Sequence, residues 1–109
     1  MEGLIRWAAF KEALQASHYA ETLGDAVVLI AIVADFWKAC GVYKDRGYRN
    51  VLIEAGCVVQ MIQVAASVAN LGSCLITGYD EDRLNDAMRM DGMNEGVVGI
   101  VALGRCYRA

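Results

Sequence analysis

The sequence predicts an α/β (or α+β) domain, a small sheet covered by helices, and three observations carry that prediction. Ala26–Ala34 (AVVLIAIVA) and Gly96–Leu103 (GVVGIVAL) are short, continuous apolar runs rich in β-branched residues. Strands buried on both faces read this way. Between them, Arg49–Leu71 keeps apolar helical spacing for much longer than a strand persists. The elements also alternate in the order α-β-(α)-α-β-α-β, which favours helices packed on a sheet.

Leu4–Tyr19 reads as an amphipathic helix, with Leu4, Trp7, Ala8 and Leu14 at helical spacing, broken by Gly24-Asp25. Ala26–Ala34 follows as the first strand, although a buried helical segment of that length would read alike. Asp35–Cys40 begins a short helix, and Gly41–Gly47 is a connection rich in charge and tyrosine. The long helix Arg49–Leu71 stops at Gly72, a residue that commonly follows a helix end. Ser73–Thr77 is a second strand. Asp80 caps a helix over Glu81–Met90, because its carboxylate accepts bonds from orphan backbone N–H groups. Asp91-Gly92 turns the chain into the third strand.

The 109 residues make one domain, and 57% of them are hydrophobic, above the usual range for soluble domains. No run reads as a bilayer span of about 20 residues. Ala26–Ala34 is too short, and Val51–Ile76 is interrupted by Glu54, Gln60, Gln63 and Asn70. Met1–Ser17 lacks the basic start, apolar centre and small-residue cleavage site of a signal peptide. The expectation is a cytoplasmic protein, off the membrane, whose surplus apolar surface meets another subunit. A net charge of −3 and a pI near 5 argue against non-specific nucleic-acid binding.

Motifs for other chemistries are missing. Cys40, Cys57, Cys74 and Cys106 are scattered without a C-x-x-C pair, so reduced structural thiols are expected and no metal site. His18 is the single histidine and has no nucleophile in a recognisable pattern. Neither G-x-G-x-x-G nor a P-loop occurs. Asp80, Glu81, Asp82 and Asp86 lack the alternating spacing of a calcium loop and suit a helix start. Tyr43–Arg49 mixes basic and aromatic residues, and in an acidic chain reads as a surface connector or dimer contact.

Within the long helix, Gly56, Gln60, Gln63, Ser67 and Asn70 recur at steps of four and three, forming one narrow polar stripe. The other faces are apolar, so the helix is expected to be buried on several sides. Its stripe then meets internal partners in a core, or a symmetry mate or ligand at a subunit interface.

The segment YRNVLIEAGCVVQMIQVAASVANLGSCLITGYDEDRLNDAMRMDGMNEGVVGIVALGR resembles the flavin-dependent nitroreductase family, especially its branch of peptide and azoline oxidases. Glu54-Ala55-Gly56, Gln60, Leu71-Gly72, Gly78-Tyr79-Asp80 and Gly104 fall in the family's order, and the likeness covers about Glu12 to Arg105. The resemblance implies a three-layer sheet flanked by helices, with the long central helix at the interface of an intertwined homodimer and FMN between subunits. It places Leu75, Ile76, Thr77 and Gly78 beside the flavin ring, where backbone N–H groups stabilise charge that builds on reduction. Gly78 would permit close approach or a positive φ.

The family's R-R-S-x-R-x-F type motif for the FMN phosphate has no counterpart, and its basic C-terminal tail is reduced to Arg105 and Arg108. Arg105 is the retained candidate, with Arg108, Arg46 and Arg49 as further guanidinium sources. The chain thus resembles the C-terminal portion of the fold. The resemblance implies a subunit or fragment of an FMN-dependent oxidoreductase, with no side-chain acid or base identified. It would pass electrons from a donor to a small molecule, peptide or oxygen. The expected partners are a second copy or a larger nitroreductase-like subunit supplying the phosphate site. The alternative is a non-catalytic interaction subunit of a hetero-oligomeric flavin oxidase.

Overall fold

The computed structural model describes residues 26–105, so the helix expected over Leu4–Tyr19, His18, Cys106 and Arg108 lie outside the described residues. Strand β1 (Ala26–Asp35) is followed by helices α1 (Phe36–Tyr43) and α2 (Asp45–Val68). Strand β2 (Leu71–Ile76), helix α3 (Glu81–Ala87) and strand β3 (Glu95–Arg105) complete the order. The sheet runs β1-β3-β2, and both pairings are antiparallel. The expected sheet covered by helices is present, with α2 on one face and α3 on the other.

β3 is central and apolar on both faces. Its Val101 packs with Ile32 and Val59 under α2, while Ile100, Ala102 and Val97 pack with Ile76, Leu84 and Ala87 under α3. Ile76, Leu84, Ile100 and Val101 are fully buried, and each such side chain stabilises the fold by about 1.5–3 kcal/mol. The edge strands fit the expectation of double burial less well, since Val28 and Val33 on β1 are exposed. A register shift between Ile32 and Val33 leaves Val98 of β3 as the extra residue of a bulge. The bulge lets Val98 and Gly99 both line the α2 side.

Asp35 caps α1 by accepting from the Lys38 N–H at 2.9 Å. The expected connection over Gly41–Gly47 is largely helical instead. Only Lys44, in the left-handed region at φ 56, separates α1 from α2. Gly47 explains why so tight a corner closes: a Cβ there would overlap the Ala39 carbonyl. The long helix ends at Val68, earlier than expected. Asn70, at φ 61, makes the turn assigned to Gly72, and Gly72 itself lies in β2. Asn tolerates this conformation better than most residues. The helix after Asp80 is likewise shorter, stopping at Ala87 before Arg89 at φ 57.

The packing of α2 corrects two expectations. Ala55, Val59 and Ile62 pack on the sheet, and Ala66 is buried along the same stripe. At 100° per residue, Ile53, Cys57, Met61, Val64 and Val68 form the opposite face, and all five are exposed. The polar stripe Gly56, Gln60, Gln63 and Ser67 runs along one flank between these faces. By length and composition alone α2 is also apolar enough to cross a bilayer, so the polar residues interrupt it less than expected. Its inner stripe is nonetheless packed on the sheet.

Candidate functional site

The polar flank of α2 leads into a cleft against β2 and the bulged part of β3. The cleft measures about 150 Å³, and its walls include Leu52, Gly56, Leu75, Thr77, Val98 and Gly99. Two glycines keep it open. Gly56 has no neighbour within 4 Å of a Cβ position, and a Cβ on Gly99 would lie 3.2 Å from Leu75 Cδ1. β2 is an edge strand, so among the described residues its outer backbone groups have no strand partner beside this cleft.

The residues expected beside a flavin separate by role. Leu75 and Thr77 are exposed and line the cleft. Ile76 points the other way into the α3 core and is fully buried, so only its backbone is available to a ligand. Gly78 is exposed and is not among the residues with positive φ, so the left-handed backbone expected as one option there is not used. Arg105 pairs in register with Leu71, at the far end of β2 from Thr77. Six residues of strand separate those ends, roughly 20 Å. Arg105 is exposed there and does not line the cleft.

The turn after β2 is held firmly. The Tyr79 hydroxyl donates to the Val97 carbonyl at 3.0 Å, and Asp80 accepts from the Arg83 N–H at 3.2 Å, the cap read from sequence. Burial, helped by the negative charge of Glu81, pushes the Tyr79 phenol up to about 12. Asp91 organises the next loop: one carboxylate oxygen accepts from the N–H groups of Met93, Asn94 and Glu95. These bonds hold its carboxyl below the usual carboxylate range.

Sequence reasoning missed Leu52, Val98 and Gly99 as cleft residues. Gly99 carried a signal, since a glycine inside a strand often marks a bulge or a close approach. No signal marked Val98, whose position depends on the register of β1. Cys57 departs from the expected buried thiols, being exposed, while Cys40 and Cys74 are half-buried.

The sheet order, the long helix across one face and the cleft at the end of β2 can be set against known proteins. Residues 5–105 match the family profile described as "Nitroreductase family". The chain belongs to the nitroreductase family. A Methanocaldococcus jannaschii protein described as a nitroreductase is 26% identical over 65 residues, covering 60% of this chain and 33% of that protein.

Solved structures agree on the fold. A nitroreductase-type protein from Anabaena variabilis superposes with a TM-score of 0.76 at 24% identity, over 85% of this chain and 19% of its own. A nitroreductase family protein from Clostridium novyi NT gives 0.74 at 19% identity, over 94% and 57%. The Escherichia coli microcin synthetase McbBCD complex, with truncated pro-MccB17 bound, gives 0.68 at 24% identity, over 73% and 30%. The chain spans about a third of the curated relative it matches. The α+β fold inferred from the resemblance is therefore correct, over a part of the family's full length.

Proposed function

We propose that this nitroreductase chain is a subunit or fragment of an FMN-dependent oxidoreductase whose flavin lies at a subunit interface. The observation that carries this reading is the cleft: it lies beside the unpartnered edge of β2 and the polar flank of α2, next to an apolar face left bare. Members of the family generally use FMN. The residues present suit the ring side of that group. Leu75, Leu52 and Val98 supply apolar walls, Gly56 and Gly99 leave room, and backbone N–H groups near Thr77 and Gly78 supply donors. When bound, FMN supplies the transfer of electrons from a donor to an organic acceptor or oxygen.

The share of this chain is binding, orientation and exclusion of water. Among the described residues no ionisable side chain lines the cleft, so none of them is proposed to transfer a proton there. The phosphate side is thin for the same reason. Arg105 stands at the remote end of β2, while Arg49 continues the helical flank of Gly56 and Gln60 at its N-terminal end. These are the two guanidinium groups proposed for the phosphate, unless a larger partner supplies it. Kinship to the peptide and azoline oxidase branch, and with it a peptide substrate, is supported by the fold match to the microcin synthetase complex.

A second reading, a non-catalytic interaction subunit in the cytoplasm, draws on the lack of any cation in the cleft wall among the described residues. Purification of the chain alone and with a co-encoded partner, followed by visible absorption and mass in solution, separates the readings. Flavin in the lone oligomer supports a homo-oligomeric enzyme, and flavin only in the mixed complex supports a two-component one. A colourless complex overturns both enzymatic versions.

A further inference from the structure

A second cleft lies where α1, α2, α3 and the Asp91 loop converge, and it measures about 390 Å³. One wall is aromatic: Phe36 and Tyr48 stack with ring centroids 5.0 Å apart and planes 24° apart. Across from the rings, α3 contributes Glu81 and Asn85, one helical turn apart, and Met93 and Gly96 complete the rim and floor. Glu81 is the only charged side chain in the lining. Among the described residues nothing pairs with its carboxylate.

One polar group, Asn85, is set before any ligand arrives. Asn85 Oδ1 accepts from the Val97 N–H at 3.0 Å, which fixes the carboxamide and leaves its NH2 donors for the cleft. The rim is fixed by Asp91, which gathers three successive backbone N–H groups, and by the Gly92 N–H donating to the Glu95 carbonyl at 2.8 Å. An acceptor-only carboxylate, a neutral donor and a face of aromatic rings together ask for a cation with a flat or apolar body and a nearby carbonyl.

We infer that this cleft binds a basic side chain of a peptide, arginine above all. Its guanidinium meets Glu81, its stem and plane lie on the exposed Tyr48, which is backed by the buried Phe36 ring, and an adjoining peptide carbonyl accepts from Asn85. Arginine is favoured over lysine because its plane stacks on aromatic rings and its fork matches a carboxylate. The acidic chain adds a weak general attraction for such a ligand. Leu52 and Val98 border both clefts, but the inference does not rest on the flavin reading, because its test needs no flavin.

The test is a titration of the isotope-labelled protein with N-acetylarginine methylamide, followed by NMR at the Asn85 side-chain amide and the Gly92 and Gly96 backbone amides. Saturable shifts confined to those groups are expected. The uncharged norleucine analogue should give none. Glu81→Gln, on an exposed position, should weaken binding about tenfold, the usual scale for losing a charge-assisted hydrogen bond. Met93→Lys sets a tethered competing cation on a side chain that is 82% exposed and should abolish binding without disturbing the core. Equal response to the norleucine analogue, an unchanged Glu81→Gln titration or an unchanged Met93→Lys titration overturns the inference, as does the absence of any shift.

Discussion

The Tyr79 hydroxyl and the Val97 carbonyl join at 3.0 Å, across eighteen residues of chain. This bond ties the turn that leaves β2 to the strand at the centre of the sheet. Tyr79→Phe removes the donor and leaves the Val97 carbonyl with one partner fewer, so stability should fall by about 1 kcal/mol. The change also has a pH signature. The folded phenol ionises near 12 against an ordinary value of 10, so its contribution is complete below pH 10 and is lost as pH rises through 12. Denaturant midpoints between pH 9 and 11.5 should fall more steeply for the native chain than for Tyr79→Phe.

Asp91 has the opposite sign. Its carboxyl is held low by the N–H groups of Glu95, Asn94 and Met93, so its contribution is complete above the ordinary carboxylate value and disappears as pH falls through the folded one. Carboxyl carbon NMR should show Asp91 titrating below the usual carboxylate range. Asp91→Asn should remove that step and raise amide exchange at Met93–Glu95.

Glycines 47 and 56 sit on the same helix and should respond in opposite ways. Gly47→Ala drives a methyl into the Ala39 carbonyl, an overpacking that typically costs about 1–3 kcal/mol. Gly56→Ala meets open space and gains up to about 1 kcal/mol of helix propensity. If the cleft holds a flavin ring, the stabilised Gly56→Ala chain should bind FMN more weakly. Paired thermal melts and flavin titrations check both halves.

The two guanidinium candidates can be told apart with two flavins. Loss of a phosphate contact weakens FMN binding and leaves riboflavin unchanged. Arg49→Gln and Arg105→Gln, titrated against both, show which position carries the phosphate, and fluorescence quenching reads the result.

The bare face of α2 gives a final prediction. Met61→Glu and Val64→Glu change residues that are 72% and 53% exposed, so the fold should survive. A charge there should reduce self-association in analytical ultracentrifugation, because unpaired charge is costly in a buried interface core.

Much of this fold was legible in the sequence because local chemistry decided it. The β-branched runs became β1 and β3, and Asp35 and Asp80 cap helices as short acceptors do. The misses share a cause. The Lys44 corner depends on Gly47 approaching Ala39, and the early end of α2 depends on Asn70 accepting a left-handed turn. Both are set by how backbone segments meet in three dimensions, which spacing along the chain does not encode. The candidate site divides in the same way. Leu75 and Thr77 follow from their place in β2, whereas Val98 and Gly99 reach the cleft through a bulge in register with β1. The distance of Arg105 from Thr77 became visible only once Leu71 was its partner.

Ile53, Cys57, Met61, Val64 and Val68 carry a further consequence. If a second copy or partner covers this face, as proposed, the stability it adds follows mass action. The melting temperature would then be a function of concentration as much as of sequence. Dilution would act on the chain as a denaturant does.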